Sequence, residues 1–221
     1  MIIAIDGPAG SGKSTIAKLL AKKLSFTYID TGAMYRALAL KVITSSIDPN
    51  NEEEVVKILE NTNIDLIDDK VFLDGKEVSN QIRTEEVGNV ASIIARYKKV
   101  REVMVNKQRQ IGINAKNAVI EGRDAGTKIF PDADLKIFMT ASPEIRAQRR
   151  VQQLKEKGFL VDYNHILQKI IERDKMDYER KESPLRPTED YIIVDTTDKT
   201  IEEVISYIEN LIKKWEEQLH F

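Results

Sequence analysis

The 221-residue sequence predicts an α/β fold with a five-stranded parallel core sheet flanked by helices. Three observations carry this. Short apolar runs alternate with helical patterns, the first run feeds a glycine-rich loop that opens a helix, and one stretch of hairpin signals interrupts the alternation.

Met1-Ile-Ile-Ala-Ile5 reads as a buried strand. The next eight-residue pattern, Gly7-Pro8-Ala9-Gly10-Ser11-Gly12-Lys13-Ser14, fits G-x-x-x-x-G-K-[ST], and Ile16, Leu19, Leu20 and Leu24 then recur at helical spacing. A strand, glycine loop and helix in that order form a phosphate-binding loop, the mark of the P-loop NTPase fold. The glycines let backbone N–H groups converge on a polyphosphate, and the helix N-terminus adds partial positive charge. Lys13 is expected to reach the β- and γ-phosphates and Ser14 to hold Mg²⁺ beside ATP, with Thr15 completing the loop.

Further buried parallel strands are expected at Thr27-Tyr-Ile-Asp30, Ala118-Val-Ile-Glu121, Leu135-Lys-Ile-Phe-Met139 and Tyr191-Ile-Ile-Val-Asp195. Helices fall at about Gly32 to Ser46, Lys98 to Ile111, Pro143 to Lys157 and Tyr163 to Lys181. In the last helix, about Ile201 to Leu219, Ile201, Val204, Ile205, Ile208, Leu211, Ile212 and Trp215 make one apolar stripe. Too short for a coiled-coil seam, the stripe is expected to pack on the sheet.

Ile64 to Ile67, Val71 to Leu73 and Lys76 to Val78 are short strands separated by Asp68-Asp-Lys70 and Asp74-Gly75, both hairpin signals. With neighbouring helices, residues 48–98 form an insert in a single domain, 1–221. Three short strands are not stable alone, so the meander is expected to lean on the main sheet or on a ligand.

Composition narrows the function classes. With 34 Lys+Arg against 36 Asp+Glu, the formal charge of −2 gives no global attraction to nucleic acid or anionic membranes, and neither is an expected partner. No cysteine is present, and the only histidines are His165 and His220, which disfavours zinc. The first strand runs straight into the phosphate loop and no 18-residue apolar run exists, so a cytoplasmic protein without a signal peptide is expected. A monomer is expected.

In an open parallel sheet, ligands lie beyond the carboxyl ends of the strands. There the sequence places Asp30-Thr-Gly-Ala-Met-Tyr-Arg36 and Glu121-Gly-Arg123-Asp124, so Arg36 and Arg123 face the mouth that holds Lys13. One arginine alone would read as a surface ion pair, but two beside a phosphate loop suit a second phosphate. Arg146, Arg149 and Arg150 share a helix face, as do Arg173, Asp177 and Arg180. Both could be solvated faces laced with ion pairs. The intervening Lys155-Glu-Lys-Gly158-Phe159 instead suggests an arginine-bearing lid, residues 146–163, that brings Arg149 and Arg150 to ATP and excludes water.

GPAGSGKST (Gly7 to Thr15), DTGAMYR (Asp30 to Arg36), IRTEEVGNVAS (Ile82 to Ser92), EGRDAGT (Glu121 to Thr127) and ERDKMDYER (Glu172 to Arg180) together resemble the bacterial cytidylate kinases over the whole length. The resemblance implies transfer of the γ-phosphoryl group of ATP to CMP or dCMP with Mg²⁺. It further implies that Arg36 and Arg123 grip the acceptor phosphate, with Thr31 nearby. Ser92, Arg101 and Asp124 would read cytosine, Arg173 and Asp177 would meet the sugar, and Arg180 would reach toward the phosphates. Lys13, Arg123 and Arg180 would be catalytic. Ala125 departs from the pattern, since the family more often carries a larger apolar residue there.

The chemistry agrees with that implication. Cytosine offers an amino donor and N3 and O2 acceptors, so a carboxylate beside an arginine matches its edge. Uracil would leave Asp124 unpaired, at a cost on the order of 1–3 kcal/mol. Catalysis reduces to in-line positioning and charge stabilisation. Two other readings remain open: a phosphate-loop kinase acting on UMP or another small molecule, and an ATP-dependent switch.

Overall fold

Strands of near-continuous apolar character are buried on both faces, and the centre of this molecule is such a strand. The computed structural model describes residues 1–67, 69–156 and 158–219. Asp68 of the predicted turn, Lys157 of the predicted lid and His220 lie outside them. In chain order the first elements are β1 (Ile2–Asp6), α1 (Lys13–Leu24), β2 (Thr27–Asp30) and α2 (Thr31–Thr44). The insert follows with α3 (Glu52–Glu60), β3 (Ile64–Ile67), β4 (Lys70–Leu73), β5 (Lys76–Glu77) and α4 (Glu85–Ile94). Then come α5 (Lys98–Ala115), β6 (Ala118–Gly122), β7 (Leu135–Thr140), α6 (Pro143–Glu156), α7 (Tyr163–Glu179), β8 (Ile192–Asp195) and α8 (Ile201–Leu219).

The main sheet has five parallel strands in the order β2-β6-β1-β7-β8. The register pairs Ile5 with Glu121 of β6 and Ile137 of β7. The phosphate loop that leaves β1 is therefore flanked by the loops leaving β6 and β7. One sheet face packs Ile3, Ile5 and Ile137 against Leu20 of α1 and Val204, Ile208 and Ile212 of α8, so the terminal helix's stripe is sheet packing, as its length implied. The other face packs Ala4, Ile29 and Ile120 against the turn 125–129.

The meander leans chiefly on the helices beside it. Its strands order as β3-β4-β5, and Ile64, Val71 and Leu73 are buried with Met34 and Leu38 of α2 and with Val55 and Leu59 of α3, while Leu66 of β3 also packs on the main-sheet cluster of Ile29 and Ile120. Val87, Ile94 and Met104 complete a core belonging to the insert side. Asp74 and Gly75 have φ of 49° and 79°, the left-handed pair that an Asp-Gly hairpin needs. The helices α3 and α4, which the apolar pattern did not delimit, begin at Asn51 and Thr84, whose side chains accept hydrogen bonds from Glu54 N and Val87 N.

Candidate active site

At the end of β1 the chain must turn sharply under the neighbouring strand. A Cβ on Gly7 would lie 2.0 Å from the carbonyl oxygen of Met139, and φ there is +152°, so only glycine fits. Gly12 caps α1 and accepts from Ile16 N, while Gly10 lies against Arg146. The remaining loop is tied down through its carbonyls. Pro8 O accepts from Lys13 Nζ at 3.5 Å, Ala9 O from Arg146 Nη1 at 3.1 Å, and Ser11 O from Thr196 Oγ1 at 3.0 Å.

Lys13 is only 7% exposed, with its Nζ 3.8 Å from the Glu121 carboxylate. Burial, then the charge of Arg123, lowers its pKa to about 8. Glu121, itself buried, also accepts from Ser14 Oγ at 2.8 Å and Tyr28 OH at 2.6 Å. Burial and Asp30 push its carboxyl above the ordinary value. Ser14 is thus oriented by Glu121, while Thr15 faces solvent.

Several of the arginines lie close together, and Arg36, Arg101, Arg123 and Arg180 are each held by a particular partner. Arg36 donates to the carbonyls of Ile82 and Thr84, at 3.0 and 3.3 Å, which fixes α2 to the insert. Burial, then Arg173 and Arg83, lowers its pKa to about 10. Arg123 Nε donates to Asp177 Oδ2 at 2.8 Å, and Arg180 lies 3.9 Å from the other oxygen. Arg180 also donates to Ser183 O. Burial alone would raise the Asp177 carboxyl, and Arg123 and Arg173 overcome this and hold it below its ordinary value. The Arg173–Asp177 helix pair considered from spacing is therefore not an exposed one. Arg173 keeps a buried Nε with no hydrogen-bond partner.

Arg101 pairs with Asp124, donates to Ala95 O and Ser183 Oγ, and stands with its guanidinium carbon 5.7 Å from the centre of the Tyr35 ring. Two residues placed near the acceptor spend their hydroxyls locally: Thr31 Oγ1 donates to Glu121 O, and Ser92 Oγ to Gly88 O within α4. Ala125 is buried among Ile29, Ile120 and Ile129, where a larger residue would have to displace them.

The arginine face of α6 divides in three. Arg146 is 3% exposed and forms a forked pair with Asp174 of α7, so it belongs to the body and not to a solvent-facing flap. Arg149 donates to Thr196 Oγ1 and O, beside the phosphate loop. Arg150 is exposed and acts on the site only through its charge, felt by Arg36 and Arg173. Sequence reasoning quoted Glu121 without giving it a task and missed Asp6, Tyr28, Tyr35, Thr196 and Ser183. Only Asp6 and Glu121 carried a signal, as acidic residues at the carboxyl ends of apolar strands.

These cations are only partly compensated by the carboxylates of Glu121, Asp177 and Asp124. Lys13 is repelled by Arg123 and Arg173, Arg36 by Arg173 and Arg150, and Arg180 by Arg101. Such a mouth is built for more than one phosphorylated ligand.

Comparison with known proteins agrees with this chemistry. A family model described as cytidylate kinase matches residues 3–214. A cytidylate kinase of Clostridioides difficile is 50% identical over 94% of this chain and 96% of its own. That of Caldanaerobacter subterraneus is 50% identical over 96% of this chain and 94% of its own. Among solved structures, a gluconokinase from Sinorhizobium meliloti has a TM-score of 0.53 at 16% identity, covering 99% of this chain and 95% of that one, and shares the fold.

Proposed function

The chain belongs to the cytidylate kinase family, and on that premise we propose how its own residues divide the transfer of the ATP γ-phosphoryl group to CMP. The observation that carries the division is the set of mutually repelling cations Lys13, Arg36, Arg123 and Arg173 around one mouth. Their excess charge matches two substrates that each bring phosphate.

The phosphate loop 7–15 receives the triphosphate beside Arg149, and Arg150 would swing to the ATP phosphates from the exposed face of α6. Arg36 and Arg123 take the acceptor phosphate, near Thr31. Arg101 and Asp124, with Ser92, take the base edge. Arg173 and Asp177 take the sugar, and Arg180 closes the cluster. A monophosphate oxygen is already ionised at neutral pH, so Lys13, Arg123 and Arg180 contribute by neutralising charge on the transferring group and not by moving a proton. The insert 48–98 then holds the acceptor, and dCMP enters as CMP does.

Mg²⁺ fits the residues present. Among the described residues no cluster of three or more His, Asp or Glu could cage a metal, and the Ser14 hydroxyl stands at the start of α1 against Glu121. That donor set suits an ion held mainly by substrate phosphates and water, with Ser14 as the protein's ligand. Bound there, Mg²⁺ would neutralise charge between the β- and γ-phosphates. No described helix is long and apolar enough to cross a membrane.

A coupled assay of ADP release with CMP, dCMP, UMP and AMP as acceptors tests the reading. CMP and dCMP should be preferred, and Asp124→Ala should cut the preference for CMP over UMP by about tenfold or more. A preference unchanged in Asp124→Ala would remove that residue from the base.

A further inference from the structure

Asp124 stands at the start of a wide helical turn, Ala125–Ile129, closed by Phe130 N donating to Ala125 O. The first N–H groups of any helical turn lack partners within it, and an aspartate just before the turn is the residue type that ordinarily caps them. Here Asp124 makes no such cap. Its carboxylate is turned to Arg101 instead. The cap comes from a strand far away in sequence. Asp6, 1% exposed, accepts from Ala125 N through Oδ1 and from Gly126 N through Oδ2, both at 2.9 Å.

Asp6 is itself held. Tyr191 OH donates to its Oδ2 at 2.6 Å, and the Tyr191 ring meets Phe138 edge-on beside Leu185. The fit leaves no slack, since a Cβ on Gly126 would lie 2.5 Å from the Tyr191 hydroxyl oxygen. A fully buried carboxylate is costly unless its acceptors are used, and here three donors use them. Burial, with Asp124 nearby, lifts the Asp6 carboxyl above its ordinary value despite these bonds. The protein thus keeps two acids close together where one, by local rules, would suffice.

We propose that Asp6, anchored by Tyr191, caps the 125–129 turn in place of Asp124 and thereby frees the Asp124 carboxylate to meet the acceptor base. Asp6 is a positioning residue. It touches no substrate but sets acceptor selectivity through Asp124, and because it immediately precedes Gly7 it ties the base-reading loop to the donor loop. The inference rests on the reading of Asp124 as the base-reading residue.

The test compares kcat/KM for CMP and for UMP, with KM for ATP, in Asp124→Ala, Asp6→Asn and Tyr191→Phe. Asn keeps one acceptor oxygen and turns an NH₂ toward a backbone N–H, so the cap fails and Asp124 folds back onto its own turn. Asp6→Asn should cut CMP-over-UMP selectivity at least about fivefold and Tyr191→Phe about two- to threefold, with KM for ATP within about twofold of the parent. Placed on Asp124→Ala, neither change should reduce selectivity further. A merely structural Asp6 would lower the melting temperature and kcat for both acceptors alike and leave their ratio intact. If Asp124→Ala collapses selectivity while Asp6→Asn and Tyr191→Phe leave it untouched, the inference is wrong and the reading of Asp124 stands. If Asp124→Ala itself keeps full selectivity, that reading fails and this inference falls with it. Should Asp6→Asn not fold, Tyr191→Phe decides alone, and an unchanged ratio there overturns the proposal.

Discussion

Around Lys13 the backbone supplies most of the geometry, in one contiguous loop whose carbonyls are tied to Arg146 and Thr196. Around Arg123 side chains from several elements supply it, and Arg123, Arg36 and Arg101 are each oriented by a carboxylate or carbonyl of the protein. The difference sets how each half fails. A backbone cradle tolerates loss of one side chain without losing shape, whereas a mutually compensated cluster loses both shape and charge balance when one member goes.

Lys13→Ala gives the largest expected effect. Turnover should fall by about 100-fold or more, as for removal of one preorganised transition-state donor, with an unchanged circular dichroism spectrum. A variant retaining a tenth of wild-type turnover would take the donor half's charge away from Lys13.

Asp177→Ala should show the other kind of failure. With only 15% of its side chain exposed, Asp177 compensates Arg123 and Arg180, so its removal leaves buried cations unpaired. A loss of about 2–3 kcal/mol is expected, which in a domain of this size lowers the melting temperature by roughly 5–10 °C, together with at least about a tenfold fall in kcat/KM for CMP. A sugar contact on an exposed helix face would show a kinetic effect without a stability effect. Loss of activity at unchanged melting temperature would restore that simpler picture and dissolve the contrast between the halves.

A third measurement sharpens the comparison on the donor side. With its pKa lowered to about 8, Lys13 is half neutral at pH 8 in the free protein. Bound polyphosphate restores its charge, so ATP binding should take up about half a proton at pH 8 and almost none at pH 6.5. Calorimetry in buffers of different ionisation enthalpy reads this directly, and Lys13→Ala should abolish it. The same linkage makes protonated Lys13 a stability cost below pH 8 that fades as pH rises toward its ordinary value of 10.5. Proton release at pH 8 would contradict the assignment.

The smallest effect is expected where the insert meets the core through charge. Arg83, half exposed, reaches Asp30 at 3.4 Å, and Arg83→Ala should cost about 0.5 kcal/mol or less. The neighbouring Ile82, fully buried, should cost about 2–4 kcal/mol as Ile82→Ala. Equal melting shifts in the two variants would mean that ion pairs, not the shared apolar core, hold the insert.

The same contrast explains what the sequence could disclose. The donor loop was legible because its parts are adjacent: a strand, glycines forced by close approach, and a helix start. The Asp74-Gly75 turn was legible for the same reason, since both φ values are a local demand. The arginines could be placed at one mouth because strand ends converge there. Their partners could not be read. Tyr191 lies 185 residues from Asp6, and Arg123 54 residues from Asp177, and no local pattern reports such contacts. The insert's footing on α2 was hidden because Met34 and Leu38 read equally well as packing on the main sheet.

The sheet order also bears on how the chain is made. β1 is synthesised well before its neighbours β6 and β7, and the register partner of Ile2 is Ala118. At about 5–20 residues per second, the ribosome leaves this apolar strand and its phosphate loop without a strand partner for roughly 6–23 s. Meanwhile the core joining α2, the meander and α3 to α5 draws its buried residues from Ala33 to Met104, with Ile111 packed against them, and comes together from contiguous chain. The apolar core under the acceptor side can thus form on the nascent polypeptide before β1 finds its strand partners, while Arg123, Asp124, Arg173 and Asp177 join the acceptor site only later.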